Sequence, residues 1–306
     1  MNETDILESG LRPMPYWAAL ADEKLDKWMH GIADGRSTGF ATMDDYVRLI
    51  GGELTIVAAR PSMGKTSLAM QIAENVARHL RKENDSGAVA IFSAEMSGVD
   101  LFLRMTSALA GVAMDVARKG KATQAEYSAL QSTAKTLRQL PIWIDDASGP
   151  TTTSMLAQLS EMQLTLPPRL MIFDFVELGG DLAQREDIRI GNILRNLKGI
   201  AKKLSIPVIA LSQLSREVES RANKMPVLSD LRYSGMAEQI ADKVLFVMRP
   251  EYYIKRQMQC DVPASDHKGI AYILVAKNRN GPVGLLKLAF IEERMKFGDL
   301  ETGKGN

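Results

Sequence analysis

Cysteine is almost missing from this chain of 306 residues. Cys260 is the only one, so no intramolecular disulfide framework can hold the fold, and a reducing, cytoplasmic setting is expected. Histidine is nearly as scarce: His30, His79 and His267 show no metal-ligand spacing, and none forms a recognisable nucleophile pair with Cys260. Net charge is lacking too. A balance of +1, from 38 basic and 37 acidic residues, excludes a globally basic nucleic-acid binder and leaves any such contact to local loops. No run approaches the roughly 20 apolar residues of a membrane span, so no membrane partner is expected. The acidic start Met1 to Asp5 is not expected to act as a secretory signal. Repeats, low-complexity tracts and heptad series do not stand out. What remains is a globular composition, 45% hydrophobic and 25% charged, sufficient for one large domain with an appendage.

Against that background one segment is unusual. Ala59-Arg60-Pro61-Ser62-Met63-Gly64-Lys65-Thr66 stands between the apolar run Leu54 to Ala58 and a helical pattern from Ser67, in which Leu68, Ala69, Ile72, Ala73, Val76, Ala77 and Leu80 recur on one face. Strand, Gly-Lys-Thr loop and helix together form a phosphate-binding loop. Successive backbone N–H groups curl round phosphates, Lys65 neutralises their charge, and the Thr66 hydroxyl holds Mg²⁺. Ser62, Met63, Gly64, Lys65, Thr66 and Ser67 are therefore expected to meet a nucleoside triphosphate, with ATP and Mg²⁺ as the cofactors. Ala59 stands where the motif has its first glycine. The close approach to phosphate falls instead at Gly64 and the start of the helix.

Short apolar runs alternate with helical stretches along the chain, at Leu54–Ala58, Val89–Phe92, Ile142–Ile144, Leu170–Phe173, Val208–Leu211, Val244–Val247 and Tyr272–Val275. A helical stripe of Ile190, Leu194, Leu197, Ala201 and Leu204 lies in 187–204. This alternation predicts an α/β fold with a mostly parallel sheet flanked by helices. Asn280-Gly281 between the runs 271–277 and 284–290 predicts an antiparallel hairpin at the C-terminal end. Near the N-terminus, Pro15 opens a helix whose Trp17, Ala21, Leu25, Trp28 and Ile32 share one face. Such a face needs a partner surface, on its own domain or on a neighbouring subunit.

Hydrolysis requires more than phosphate binding. Glu95, just past the run Val89–Phe92, is the candidate general base, and Asp174, ending Leu170–Phe173, the candidate Mg²⁺ ligand through water. Gln213, ending Val208–Leu211, could sense the γ-phosphate. Lys277 and Arg279 flank the hairpin turn, where a solvated surface and a phosphate-directed cation both stand open as readings.

This set of motifs resembles the C-terminal ATPase domain of DnaB-type replicative helicases, ring-shaped motors with a RecA-like core. The resemblance runs from about Ser37 to Phe290. It rests on the phosphate loop, Phe92-Ser-Ala-Glu-Met-Ser97, Asp174, Ser212-Gln-Leu-Ser-Arg216, Asp230-Leu-Arg-Tyr-Ser-Gly235 with Ala241-Asp242, and Lys277-Asn-Arg-Asn-Gly-Pro-Val-Gly284. It implies a RecA-like P-loop NTPase core at 37–298, preceded by an N-terminal segment with an amphipathic linker helix at 1–36 and followed by a flexible tail at 299–306. It also implies an ATP-dependent DNA helicase that moves on single-stranded DNA as a homo-hexamer and unwinds duplex at the replication fork. Loader and primase partners are left open. Nucleotide would lie between subunits, with Arg279 as a finger in the neighbour's site and Lys277 beside it. Arg232, Tyr233 and Gly235 would hold the DNA backbone, and Arg216 and Arg221 could extend that lining. A RecA-like ATPase that remodels DNA or protein without unwinding, and a non-hydrolysing binding subunit, are the alternatives. Family members commonly carry Glu at Tyr233, Gln at Glu177 and Asp at Ile240. They also usually have an N-terminal helical collar that meets primase, of which only the linker helix is recognisable here.

Overall fold

A computed structural model describes residues 11–300. The chain divides into two compact units, Met1–Arg36 and Ser37–Asn306. In the first, helix α1 spans Met14–Met29 and starts beside Pro13, with Pro15 in its first turn, where a missing N–H costs nothing. It ends before Gly31, whose φ of 74° leaves the helical region. Ile32 therefore falls beyond the helix on which the sequence pattern puts it. None of the residues of α1 is buried, and Trp17, Leu25 and Trp28 are each about half exposed.

The second unit is built on one nine-stranded sheet, ordered β3-β2-β4-β5-β1-β6-β7-β8-β9. Its strands are β1 Leu54–Ala59, β2 Ala88–Ser93, β3 Ile142–Asp145, β4 Pro168–Asp174, β5 Val208–Gln213, β6 Lys243–Met248, β7 Ile270–Asn278, β8 Gly284–Ile291 and β9 Lys296–Asp299. β1 to β6 pair in parallel, and β7, β8 and β9 extend the sheet in antiparallel fashion. The expected architecture is present, and β9 is an addition to it. Its Asp299 accepts hydrogen bonds from the amides of Ala41 and Thr42, in the short helix α2 (Ala41–Asp44). Residues 301–306 of the expected tail lie outside the described residues.

Every residue of β1, β2 and β6 is buried, because helices cover both faces of the parallel part. Alternate residues feed two cores. Val57 and Ala59 face the layer of α3 (Lys65–Lys82), α4 (Gly98–Ala110) and α6 (Gln124–Leu137), while the short α5 (Met114–Arg118) between α4 and α6 buries none of its residues. Leu54, Ile56 and Ala58 face α7 (Thr152–Thr165), α8 (Glu186–Leu204) and α9 (Ser234–Ile240). The helices start and stop where local chemistry dictates. Ser97 caps α4 through the Asp100 amide at 3.1 Å, Thr123 and Glu126 form a reciprocal capping box on α6, and α8 places Glu186 and Asp187 first and Lys202 and Lys203 last, matching its dipole. A last helix, α10, spans Pro250–Ile254. No helix among the described residues is long and apolar enough to cross a membrane.

This topology decides where chemistry can occur. The loops after β1, β2, β4 and β5 all leave the same carboxyl edge of four adjacent strands, where crossover connections open a crevice.

Candidate functional site

The phosphate loop leaves β1 and turns into α3. Ala59 is the last residue of the strand and is buried, so the missing first glycine leaves the loop intact. The strained positions come later: Ser62 has φ 68° and Gly64 φ 91°. A Cβ on Gly64 would also stand 2.9 Å from the ring of Phe297 and 3.3 Å from that of Phe290, so glycine is required there twice over. Met63 differs from its expected role in one respect. Its side chain is wholly buried in the core and its amide donates to Arg60 O at 3.3 Å, so it shapes the loop from behind.

Arg60, Ser62, Gly64, Lys65, Thr66 and Ser67 line a cavity of about 670 Å³ together with Glu95 and Gln213. Asp174 stands directly behind Thr66 and Lys65. It is completely buried, accepts a hydrogen bond from Thr66 Oγ1 at 2.8 Å through Oδ2, and has Oδ1 3.6 Å from Lys65 Nζ. Oδ1 has no hydrogen-bond partner. A buried carboxylate oxygen left in this way is costly unless a cation or its water completes it, so the Thr66–Asp174 pair fits a hydrated Mg²⁺. Lys65 Nζ also lies 4.4 Å from the centroid of the Phe175 ring, which steadies the ammonium at the cavity wall. The Glu95 carboxylate is exposed to the cavity, within the turn in which Ser93 Oγ donates to Met96 O at 2.7 Å. Gln213 is fixed through its backbone: its amide and the Ser212 hydroxyl both donate to Glu177 Oε1, at 3.1 and 2.6 Å.

Several lining residues carry no signal in the sequence. Arg104 from α4 and Arg249, Tyr252 and Arg256 from the segment after β6 complete the wall, and the Arg256 guanidinium stacks 3.7 Å from the Tyr252 centroid.

The remaining expected residues lie elsewhere. Asp242, next to the first residue of β6, accepts from the Leu54 amide at 2.7 Å, which puts it at the amino edge of the sheet. With Ala59 five residues further along β1, that edge is about 16 Å from the phosphate loop at a rise of ~3.3 Å per residue. Arg279 is tied to this edge: its amide donates to Asp242 O at 3.0 Å and its guanidinium reaches Asp242 Oδ1 at 3.4 Å and Gln239 O. Lys277 Nζ donates to Glu238 O and, at 2.7 Å, to Ala241 O. Burial and the neighbouring Arg279 charge hold the Lys277 ammonium below its ordinary pKa. Both cations thus cap the C-terminal carbonyls of α9 and cannot reach the nucleotide cavity of their own chain.

The other end of α9 carries the expected DNA contacts. Tyr233 is its N-cap in the left-handed region at φ 72°, and Arg232 and Gly235 are exposed. The Tyr233 ring is half-buried against α8, and burial followed by the Glu186 carboxylate raises its phenol to about 12. Part of the residue also lines an open pocket with Arg195 and Gly235. Arg221 is committed to a neighbour. It binds the wholly buried Asp230 in bidentate fashion at 2.6 and 2.7 Å, so it is not a free part of a basic lining.

The family comparison agrees with this geometry. The DnaB-like helicase C terminal domain matches residues 35–299, nearly the whole of the described chain. The chain belongs to the DnaB-like helicase family. It is 40% identical over 278 residues to the replicative DNA helicase DnaB of Geobacillus stearothermophilus, covering 89% of this chain and 58% of that relative. It is 39% identical to the replicative DNA helicase DnaC of Bacillus subtilis, with the same coverage. The chain thus spans somewhat over half the length of these curated relatives. Among solved structures, a DnaB-like replicative helicase studied with its interactions with primase gives a TM-score of 0.80 at 30% identity, covering 92% of this chain and 66% of that one. A second solved structure, of an ATPase domain, superposes with a TM-score of 0.79 at 33% identity, covering 92% of this chain and 98% of that one. RecA-like DnaB ATPase domains are therefore its structural neighbours.

Proposed function

We propose that this chain is the ATP-hydrolysing motor of a DNA helicase, assembling as a homo-hexamer, moving on single-stranded DNA and unwinding duplex during replication. The observation that carries the reading is the placement of the candidate groups at two opposite edges of the sheet. Lys65, Thr66, Glu95 and Gln213 line the cavity with Asp174 behind Thr66, whereas Arg279, the candidate finger, stands at the opposite edge. The site gains that cation when a second copy brings its amino edge to the cavity, and repetition of the contact generates a ring.

In the proposed reaction, the amides of the phosphate loop and Lys65 bind the triphosphate and orient its outer phosphates. Mg²⁺, held by Thr66 and through water by Asp174, would offset charge on the β- and γ-oxygens. Glu95 takes a proton from the attacking water, Gln213 contacts the γ-phosphate from β5, and Arg279 of the next subunit faces the charge that develops on the transferring group. Arg232 and the backbone at Tyr233 and Gly235 supply sequence-independent contacts to the DNA phosphates. The exposed tryptophans of α1 offer apolar surface for assembly.

The test is unwinding of forked DNA with Mg·ATP, run beside single-strand-stimulated hydrolysis and a mass measurement with nucleotide bound. Unwinding by a six-subunit species is expected. Stimulated hydrolysis without unwinding would favour a DNA-remodelling ATPase, and absence of hydrolysis a non-catalytic binding subunit.

A further inference from the structure

Arg249 follows β6 and is only 2% exposed. A guanidinium keeps its charge at any physiological pH, so burying one is unfavourable unless its donors are satisfied in a fixed geometry. Here they are. One terminal nitrogen donates to the carbonyl of Ser62 at 3.0 Å, the other to Glu292 Oε1 at 2.7 Å, and the guanidinium lies 4.0 Å from the centroid of the Phe290 ring. Glu292 is in turn held by Lys255, which also pairs with Glu251 at 2.8 Å. The Lys255 contact, with that of Arg249, keeps the Glu292 carboxyl below the usual carboxylate range.

The Ser62 carbonyl is an informative place to find such a group. Ser62 is in the left-handed region, which a residue with a Cβ adopts only when its surroundings enforce it. A trans peptide unit carries its C=O and N–H on opposite sides, so fixing the Ser62 carbonyl also fixes the Met63 amide, which turns back onto Arg60 O. Phe290 and Phe297 close the space beneath Gly64, the next bend of the loop. The curvature of the phosphate loop is thus set by residues more than 180 positions further along the chain, all from the region that follows β6.

We infer that Arg249 is a positioning residue for the nucleotide: by clamping the Ser62 carbonyl and anchoring on Glu292, it holds the phosphate loop in the curvature that binds the triphosphate. This rests on the nucleotide reading of the cavity and deepens it. The clamp acts alike on bound substrate and transition state, so its loss raises KM and leaves kcat at saturation nearly unchanged.

The experiment compares the full chain with Arg249→Met, Arg249→Lys and Glu292→Gln. It uses equilibrium titration with a fluorescent ATP analogue and Mg²⁺, steady-state hydrolysis, and a nucleotide-free thermal melt. Arg249→Met is expected to raise the analogue's Kd and the KM for ATP by about ten- to a hundredfold, the range that one charge-assisted hydrogen bond supports. Arg249→Lys, which keeps a donor for Ser62, recovers part of the loss, and Glu292→Gln falls between parent and Arg249→Met. If Arg249→Met does not fold, the other two variants decide the outcome. Variants with the parent's Kd, or a fall in kcat with KM unchanged, overturn the inference while leaving the nucleotide reading intact. A parent chain that does not bind the analogue overturns that reading and this inference with it.

Discussion

Thr66, Lys65 and Asp174 meet within hydrogen-bond or ion-pair distance although 108 residues separate Thr66 from Asp174, and their roles are separable by substitution. Lys65→Ala removes the charge proposed to bind the phosphates, so it is expected to weaken ATP binding, read by nucleotide titration. Glu95→Gln keeps the size of the side chain but cannot accept the proton. It is expected to bind ATP normally and to lose about 10²- to 10⁴-fold in kcat. Normal turnover by Glu95→Gln would remove it as the base. At Tyr233 the relevant quantity is alkaline stability. Its folded pKa of about 12 lies above the ordinary phenol value, so folding favours the neutral form. The resulting stabilisation is complete below about pH 10 and is lost as pH rises towards 12. Tyr233→Phe, having no phenol to ionise, is expected to lose less melting temperature than the parent between about pH 9.5 and 11.5. Parallel curves for the two proteins would show that burial and Glu186 do not restrain this phenol.

At the level of elements, α9 lies between the two groups of residues to which the proposed DNA contact and finger are assigned. Its first residues follow Arg232 and Tyr233, and its last carbonyls receive Lys277 and Arg279. The pivot of this arrangement is Asp242, which binds the Leu54 amide, Lys198 Nζ at 2.6 Å and Arg279. Removing a buried carboxylate with such partners leaves charge uncompensated. Asp242→Ala is therefore expected to destabilise the fold by about 3 kcal/mol, or roughly 6–12 °C in melting temperature for a domain of this size. Arg279 is nearly half exposed, and its pair with Asp242 is long, so Arg279→Ala is expected to change stability by less than about 1 kcal/mol. Thermal melts of the two variants check this contrast, and an equally large loss at Arg279 would make it a structural cap rather than a finger. The element pattern itself was largely legible. Runs such as Val208–Leu211 are apolar throughout because both sheet faces are covered, and α8 shows its stripe because only one face is. β9 was not legible, since Lys296-Phe-Gly-Asp299 is short, alternates weakly and gains its place by pairing with β8.

For the whole molecule, the decisive prediction concerns the interface. Arg279→Ala subunits retain a complete cavity and Lys65→Ala subunits retain Arg279, the proposed finger, so mixtures under conditions that exchange subunits are expected to recover part of the hydrolysis that each has lost. Absence of rescue in a demonstrated mixed assembly would place Arg279 outside catalysis. Much of the cavity could be read from sequence because its residues end apolar strands or lie in a loop of fixed spacing. Arg104, Arg249 and Arg256 could not, because an arginine in or beside a helix looks the same whether it faces solvent or phosphate.

The sequence by itself determined the strand–loop–helix at the phosphate site, the parallel α/β architecture and the positions of Glu95, Asp174 and Gln213 at strand ends, because these follow from local periodicity and residue chemistry. Tertiary structure alone decided what supports the loop and what stays away from it. Phe290, Phe297 and Arg249 shape it from the distant end of the chain, and strand direction carries Arg279 to the far edge. Both results depend on sheet order and register, which arise from long-range burial and hydrogen bonding that no local pattern encodes.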